Sequence, residues 1–432
     1  MSSRVTKSLP FLVAPSEATP AGTLPLTSMD RSLASLPVAV LLVFEHPIDQ
    51  PAETIRRALS RALVPYYPLA GRLASDAAGG VSIACTGEGA AFAAASATCT
   101  LKEARLSSPL PVVAAEDLTL TYAGQYNEDP PAPLLLVQVT EFSCGGFVVG
   151  VTWDHAAAGG AGMAQFLQAV GGFARCRGSS SSSSSPSIVR PVRVDAALPE
   201  LPPPIITMAD SVVGSKHNDF PCSYITAPMS FVNRIKDEAS CTAFDVFTAV
   251  IWKCRARATI TSAASPDAPA ALTFTVDVRK PAAAKDGYYG NVVSVGLAAS
   301  TLGEVADGDI LELVKLIKDA KARTLHTFTD GAAYIADEMG GRLLGIDAYN
   351  ILHITSWWNL GFDDVDFGSG CAARVMGIME RKVGAICILC GRKDRADGVA
   401  AMAFCVKQEH AEAFHAELKR FTRATGKVMN DN

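Results

Sequence analysis

His155 is the residue whose type and position most clearly suggest chemistry, because it lies between an apolar segment and a glycine-rich one. The segment Phe147–Trp153 is almost entirely apolar and predicts a buried strand. Gly159, Gly160 and Gly162 follow the histidine and lead into a helical pattern. A side chain at the end of a strand is held by the sheet yet open to a cleft, and glycines leave room for a substrate. His155 is therefore a candidate general base, although a core histidine with satisfied hydrogen bonds is the more frequent case for a single histidine.

Other roles for a single histidine have to be weighed against this one. A histidine with satisfied hydrogen bonds in a core is the ordinary alternative. A metal site would need a second ligand at suitable spacing, and none accompanies His155 in the sequence. A serine hydrolase would need a Gly-x-Ser-x-Gly turn, which is also missing. Cys387 and Cys390 lie in an apolar segment, where cysteine serves as a small hydrophobic residue.

The elements that would position His155 alternate between strands and helices without a regular βαβ rhythm. Apolar or alternating runs predict strands, and apolar residues at helical spacing predict helices. The predicted strands are Leu36–Phe44, Leu134–Thr140, Phe147–Trp153, Leu272–Val278, Ala385–Leu389 and Ala400–Val406. The predicted helices cover 51–63, a segment from Met163, Phe244–Arg257, about Glu304–Leu325, and a last one with Phe414, Leu418 and Phe421. This order favours mixed α/β layers over a barrel.

The length and one low-complexity segment indicate the domain organisation. The chain has 432 residues, which suits two domains of about 200 residues each. Ser179–Ser185 is a run of seven serines, which cannot build a core, and Pro199–Pro204 is rich in proline. We predict one domain over 1–177, a flexible crossover over 178–218, and a second domain over 219–432.

Composition excludes several classes of function. A formal net charge of −5 argues against nucleic-acid binding, which favours a concentrated basic face. No apolar run approaches the roughly 20 residues that cross a bilayer, and residues 1–10 lack the apolar stretch of a signal peptide. Eleven cysteines without a secretion signal indicate reduced thiols. We expect a cytoplasmic protein with neither nucleic acid nor membrane as a partner.

Short motifs in a fixed order carry a resemblance to a known family. The segment from His155 to Gly159 is similar to the HxxxD signature of the BAHD acyl-CoA-dependent acyltransferases. Six further segments resemble motifs of that family in its order along the chain. They are Leu26–Asp30 (Leu-Ser-x-x-Asp), Tyr66–Arg72 (Tyr-Tyr-Pro-x-Ala-Gly-Arg), Val276–Arg279 with Tyr288–Asn291 (Asn-x-Arg and Tyr-Phe-Gly-Asn), Thr355–Trp357 (Thr-Ser-Trp) and Asp366–Gly370 (DFGWG).

The resemblance implies a fold and a reaction. It implies two similar chloramphenicol-acetyltransferase-like α/β domains of mixed sheets with flanking helices, joined by a crossover, with an active-site tunnel at their interface. Acyl-CoA would be a co-substrate, and no cofactor or metal would be bound permanently. The acceptor would be a small alcohol or amine of specialised metabolism, and the acyl group an aromatic one such as hydroxycinnamoyl or benzoyl. A tunnel between two domains of one chain is compatible with a monomer.

The resemblance also implies roles for individual residues. His155 would take the acceptor proton, and the matching positions propose the Thr355 hydroxyl and Trp357 indole as donors to the oxyanion. Lys236 and Thr242 fall where the family contacts coenzyme A. The remaining motif residues would have structural roles: Arg279, Asn291, Asp366, Gly368 and Gly370. Packing in a strand is an equal alternative for Thr355 and Trp357, and a solvated helix face is the ordinary state of a lysine.

Two positions depart from the family pattern. The motif aspartate is replaced by Gly159, and the resemblance implies that this aspartate pairs with the arginine matched by Arg279. Arg279 would then lack its partner, at a cost of about a few kcal/mol. Ser369 replaces the tryptophan of DFGWG. The alternative function is therefore a non-catalytic family member that acts as a binding protein. A hydrolase is a third option without a recognisable nucleophile.

Overall fold

The structure is a computed structural model, and the chain forms two compact units. The first unit comprises 1–200, 283–292 and 358–381, and the second comprises 201–282, 293–357 and 382–432. The residues that the structure describes are 5–75, 80–105, 113–122, 131–176, 189–201, 220–260, 265–330, 346–379, 384–390 and 399–423. The serine run and most of the predicted crossover lie outside these residues.

A large mixed sheet forms the core of the first unit. Its strands are β1 (Val5–Lys7), β2 (Phe11–Val13), β4 (Pro37–Phe44), β7 (Ala90–Ala97), β8 (Leu135–Phe142), β9 (Phe147–Asp154) and β14 (Arg374–Met379). They run in the order β1-β7-β8-β9-β4-β14, with β2 beside β7, and all pairs are antiparallel except β7 with β8. Every residue of β4 and β9 is buried, which explains why their sequences are continuous apolar runs.

Helices and a small second sheet complete the first unit. The strands of the small sheet are β3 (Gly22–Pro25), β5 (Arg72–Ser75) and β6 (Val81–Cys85). They run in the order β3-β6-β5. The helices are α1 (Ser28–Arg31), α2 (Pro51–Ala62), α3 (Leu101–Ala104) and α4 (Gly160–Arg175). Helices α2 and α4 each bury an apolar face, and they pack against each other.

The second unit is built on another mixed sheet, with the order β10-β16-β15-β13-β11-β12. Strand β13 is parallel to both β11 and β15, and the other pairs are antiparallel. The strands are β10 (Ser223–Ala227), β11 (Pro269–Asp277), β12 (Val293–Thr301), β13 (Ile351–Ser356), β15 (Ala385–Cys390) and β16 (Val399–Phe404). The helices are α5 (Met229–Ala239), α6 (Ala243–Thr259), α7 (Leu302–Asp307), α8 (Ile310–Asp330) and α9 (Gln408–Arg423).

The structure agrees with the predicted elements except in two respects. The helix predicted over Glu304–Leu325 is two helices, α7 and α8, because the chain leaves the helix at Gly308. The two compact units are also not continuous in sequence, since 283–292 and 358–381 pack in the first unit. Strand β14 explains the second of these, because it pairs with β4 of the first unit.

Within the part of the chain that the structure describes, no helix has the length and apolar character needed to span a membrane.

Candidate functional site

His155 lies directly after β9, at the place predicted for it. Its backbone N–H donates to the Leu36 carbonyl at 3.0 Å, which continues the pairing of β9 with β4 by one residue. The side chain is partly exposed, although its Nδ1 atom is buried. The strand therefore fixes where the histidine starts, and the ring extends beyond the last pair of the sheet.

Six hydrogen bonds hold the turn that joins His155 to α4. They use donors and acceptors of its backbone, so that the turn has little freedom to shift. The bonds are Ala156 N to Asp154 Oδ1 (2.9 Å), Ala157 N to the Asp154 carbonyl (2.9 Å), Trp153 Nε1 to the Ala158 carbonyl (2.9 Å), Gly159 N to the Tyr289 carbonyl (3.1 Å), Asn291 Nδ2 to the His155 carbonyl (2.7 Å) and Arg193 Nη2 to the Ala156 carbonyl (2.9 Å).

Two of those bonds come from a buried cluster around Asp30. Asp30 and Asn291 are fully buried, and Arg193 is 8% exposed. Asp30 Oδ1 accepts from the Asn291 backbone N–H at 2.8 Å and from Asn291 Nδ2 at 2.9 Å. Asp30 Oδ2 forms an ion pair with Arg193 Nη1 at 3.0 Å and lies 3.5 Å from the Tyr288 hydroxyl. Because the carboxylate has both charge and hydrogen-bond partners, its burial is tolerated.

The electrostatic surroundings favour a neutral imidazole at His155. Burial lowers the pKa of His155, and this effect exceeds the opposing ones from its own carbonyl, from the Asn291 side chain and from Asp30. A neutral ring has a free lone pair at neutral pH, as a base requires. Burial also raises the pKa of the neighbouring Asp154 to about 7, although the N–H groups of Ala156 and Ser35 oppose this rise.

Gly159 occupies the N-cap position of α4. Its backbone has φ −69° and ψ 165°, and no side chain caps the helix. A Cβ at this position would lie 3.0 Å from the Gly290 carbonyl oxygen and 3.2 Å from Asn291 Oδ1. The space is tight and is bordered by acceptors. The first turn of α4 is nevertheless held through the bond from Gly159 N–H to Tyr289.

The Asp366–Gly370 segment forms a tight turn in the first unit. Asp366 Oδ1 accepts from Gly368 N at 2.7 Å and from Gly370 N at 2.9 Å, and both glycines have positive φ. Arg175, at the end of α4, donates to the Asp366 carbonyl and lies 3.7 Å from its carboxylate. Ser369 Oγ is buried without a hydrogen-bond partner in the described structure. The segment therefore contacts the C-terminal end of α4, and the structural role of its residues in the family motif stays a prediction.

Thr355 and Trp357 lie at the end of β13 in the second unit. Thr355 is partly exposed and pairs with Ile388 of β15. Trp357 follows the strand and is 8% exposed, and its backbone N–H donates to the Leu389 carbonyl at 2.8 Å. The sheet holds both residues firmly. Their role as donors to an oxyanion formed at His155 stays a prediction.

The remaining predicted residues also lie in the second unit. Thr242 caps α6: its Oγ1 accepts from Asp245 N at 3.3 Å, and its N–H donates to Asp245 Oδ2 at 2.9 Å. Lys236 lies on α5 and is partly exposed. Arg279 follows β11 and has an interaction partner. Contacts of Lys236 and Thr242 with coenzyme A stay predictions.

No role was predicted from the sequence for three residues of the buried cluster around Asp30. Asp30 belonged to a recognised motif without a role, Tyr288 was part of another, and Arg193 lay in the presumed crossover. One signal was available: Thr27-Ser-Met-Asp30 has the spacing of a capping box, which α1 indeed uses. Nothing in the sequence indicates that Asp30 meets Asn291, because 261 residues separate them.

A serine–histidine pair in the second unit bears on the hydrolase alternative. His415 Nε2 lies 2.8 Å from Ser223 Oγ, beside a cavity of about 500 Å³ at α9 and β10. Ser223 lies in a strand and is only 3% exposed, and no strained turn presents it as a nucleophile. The pair joins α9 to β10.

Comparisons with known proteins assign the chain to a family. The Transferase family matches residues 3–420. Acyl transferase 15 of Oryza sativa subsp. japonica is 41% identical, over 98% of this chain and all of that protein. A myricetin 3-O-glucosyl 1,2-rhamnoside 6'-O-caffeoyltransferase, AT1 of Crocosmia x crocosmiiflora, is 32% identical over the same shares. The crystal structure of vinorine synthase has the same two-domain α/β fold, with a TM-score of 0.70, 22% identity, and coverage of 97% of this chain and 98% of that one. The chain is therefore a member of the Transferase family, the BAHD acyl-CoA-dependent acyltransferases.

Proposed function

We propose that this enzyme transfers an aromatic acyl group, such as hydroxycinnamoyl or benzoyl, from coenzyme A to a hydroxyl or amine of a small specialised-metabolism acceptor. The single observation that carries the proposal is His155, held at a strand end with a lowered pKa and with its carbonyl and that of Ala156 bonded to Asn291 and Arg193. The caffeoyltransferase among the relatives supports the choice of an aromatic donor.

The proposed mechanism needs one base and no covalent enzyme intermediate. The neutral imidazole of His155 takes the proton from the acceptor O–H or N–H while that atom attacks the thioester carbonyl. The thioester oxygen becomes an oxyanion, for which we propose the Thr355 hydroxyl and the Trp357 indole N–H as donors. When the tetrahedral intermediate collapses, the C–S bond breaks, and the coenzyme A thiolate receives the proton from the imidazolium. The ester or amide leaves as product.

The role of Gly159 separates this proposal from the alternative of a non-catalytic binding protein. That alternative gains its support from the missing motif aspartate and from Ser369. The contacts of the His155 turn argue against it, because Asn291, Arg193, Asp154 and Tyr289 hold the turn without a carboxylate at 159.

Release of coenzyme A thiol tests the proposal directly. The wild type, His155→Ala and Gly159→Asp would be compared across aromatic and aliphatic acyl-CoA donors and a panel of alcohol and amine acceptors. We expect turnover that His155→Ala lowers by about 10²–10⁴-fold, and no large gain in Gly159→Asp. Equal background rates in all three proteins would contradict catalysis. A large gain confined to Gly159→Asp would show that the natural glycine limits the site.

We also propose a monomeric state and a cytoplasmic location. Both extend the sequence-based predictions. Size-exclusion chromatography with light scattering measures the first, and a fluorescent fusion in plant cells reports the second. A stable dimer or a signal confined to an organelle would overturn the respective proposal.

A further inference from the structure

Asp30 is a buried carboxylate that reaches the His155 turn through two neighbours. We propose that Asp30, acting through Asn291 and Arg193, is a positioning residue for the imidazole of His155. This network performs the bracing that the BAHD motif assigns to the residue at position 159, which is glycine in this chain. The inference rests on the proposed function of His155 as the base.

The contacts form two short chains from one carboxylate to two consecutive carbonyl groups. Asp30 Oδ1 holds Asn291 through two hydrogen bonds, and Asn291 Nδ2 donates to the His155 carbonyl at 2.7 Å. Asp30 Oδ2 holds Arg193 Nη1 at 3.0 Å, and Nη2 of the same guanidinium donates to the Ala156 carbonyl at 2.9 Å. The peptide groups on both sides of the Ala156 Cα are therefore tied to Asp30.

The same network also faces the ring of His155. His155 Nδ1 and Asn291 Oδ1 are both buried, and neither has a hydrogen-bond partner in the described part of the structure. Asn291 cannot exchange its amide O and N, because Nδ2 already donates to Asp30 and to the His155 carbonyl. The Asn291 side chain raises the pKa of His155 against the effect of burial, as an acceptor beside a ring N–H does, and we take Oδ1 as that acceptor and Nδ1 as the protonated nitrogen. A proton on Nδ1 leaves the lone pair on Nε2, which is then the basic atom.

Arg193 fixes the position of the Asp30 carboxylate through the ion pair between them. Its guanidinium lies 5.8 Å from the Tyr289 ring centroid and 6.0 Å from that of Tyr288. Although burial acts to lower the pKa of Arg193, Asp30 and the two tyrosines hold it above its usual value. The cation therefore remains charged and fixed, and so does its bond to the Ala156 carbonyl.

Three variants separate positioning from simple stabilisation. Asn291→Ser removes the amide that bridges Asp30 to His155 and keeps the Asp30–Arg193 ion pair. Asp30→Asn removes the charge from the cluster. Asp195→Asn is the matched control, since Asp195 has a side chain with no exposed surface, accepts from the N–H groups of Lys285 and Ala197, and pairs with Lys285 Nζ at 3.3 Å. No contact in the described structure joins the Asp195 carboxylate to the His155 turn.

Two measurements on the full-length protein give the outcome. In steady-state coenzyme A release, we expect kcat of Asn291→Ser and Asp30→Asn to fall by about 10²-fold with little change in KM, because a misplaced base slows the chemical step. In ¹⁵N-detected histidine NMR, we expect the His155 signals, assigned with His155→Gln, to move from the Nδ1–H tautomer towards a mixture. Asp195→Asn should leave both kcat and the tautomer unchanged.

The NMR measurement does not depend on turnover, so the two proposals can fail separately. If the wild type releases no coenzyme A thiol with any donor, the proposed function fails, and the tautomer of Asn291→Ser still decides the positioning role. If Asp30→Asn does not fold, Asn291→Ser carries the test, because it leaves the ion pair intact. A wild-type tautomer and wild-type kcat in folded Asn291→Ser would overturn the inference.

Discussion

Replacing Gly162 by alanine should separate the first turn of α4 from the segment that carries Asn291. A Cβ at position 162 would lie 2.6 Å from the Tyr289 carbonyl carbon, 2.7 Å from its Cα and nearer still to its oxygen. Ordinary contacts of this kind begin at 3.4 Å, so the Tyr289 backbone would have to move by more than 1 Å. That backbone cannot rotate away as a flexible side chain would.

The magnitude follows from two opposing effects. Alanine improves helix propensity by about 1 kcal/mol over glycine. Overpacking against backbone costs about 1–3 kcal/mol, occasionally more, and the bond from Gly159 N–H to the Tyr289 carbonyl would be strained as well. We expect a net loss of about 1–2 kcal/mol in the free energy of unfolding. Because Asn291 follows two residues after Tyr289, kcat should fall by about 10²-fold.

Gly160→Ala is the matched control, since it makes the same substitution two residues earlier in the same turn. Its Cβ would lie 2.9 Å from Leu360 Cδ1, the end of a flexible side chain that can change rotamer. Urea unfolding and coenzyme A release would be measured for both variants. We expect Gly160→Ala to remain close to wild type in both. Equal stability and equal kcat in the two variants would refute the role assigned to the Tyr289 contact.

Three other predictions concern pH and helix capping. Burial lowers the pKa of His155, so kcat/KM should stay constant down to about pH 6.5 and fall only below it; a fall that begins near pH 8 would contradict this. The pKa of Asp154 is raised from 3.8 to about 7, so the folded state binds its proton more tightly, and stability should decline as pH rises from about 4 to 7. Urea unfolding should show Asp154→Asn losing up to about 4 kcal/mol less than wild type over that range, and parallel curves would reject the shift. Thr242→Ala should cost about 0.5–2 kcal/mol in unfolding free energy through the lost cap of α6, and any added rise in KM for acyl-CoA would support a contact with coenzyme A.

Much of the local structure could be read from the sequence. The runs at β4 and β9 are apolar throughout because both faces of the sheet are covered, and such a pattern needs no knowledge of partners. His155 was placed correctly because its position depends only on where β9 ends and where the glycines begin. The break between α7 and α8 was missed, because the apolar spacing continues across Gly308 even though the helix does not.

The contacts that hold the base were decided by tertiary structure. Asp30, Arg193 and Asn291 are far apart in sequence, and their side chains meet only because segment 283–292 packs in the first unit beside α1 and the His155 turn. The sequence alone determined that the motif carboxylate is missing at Gly159, and it left a non-catalytic family member as the alternative function. It could not show that the neighbouring carbonyls already have donors, because hydrogen bonds between distant segments have no periodicity or spacing that a sequence records.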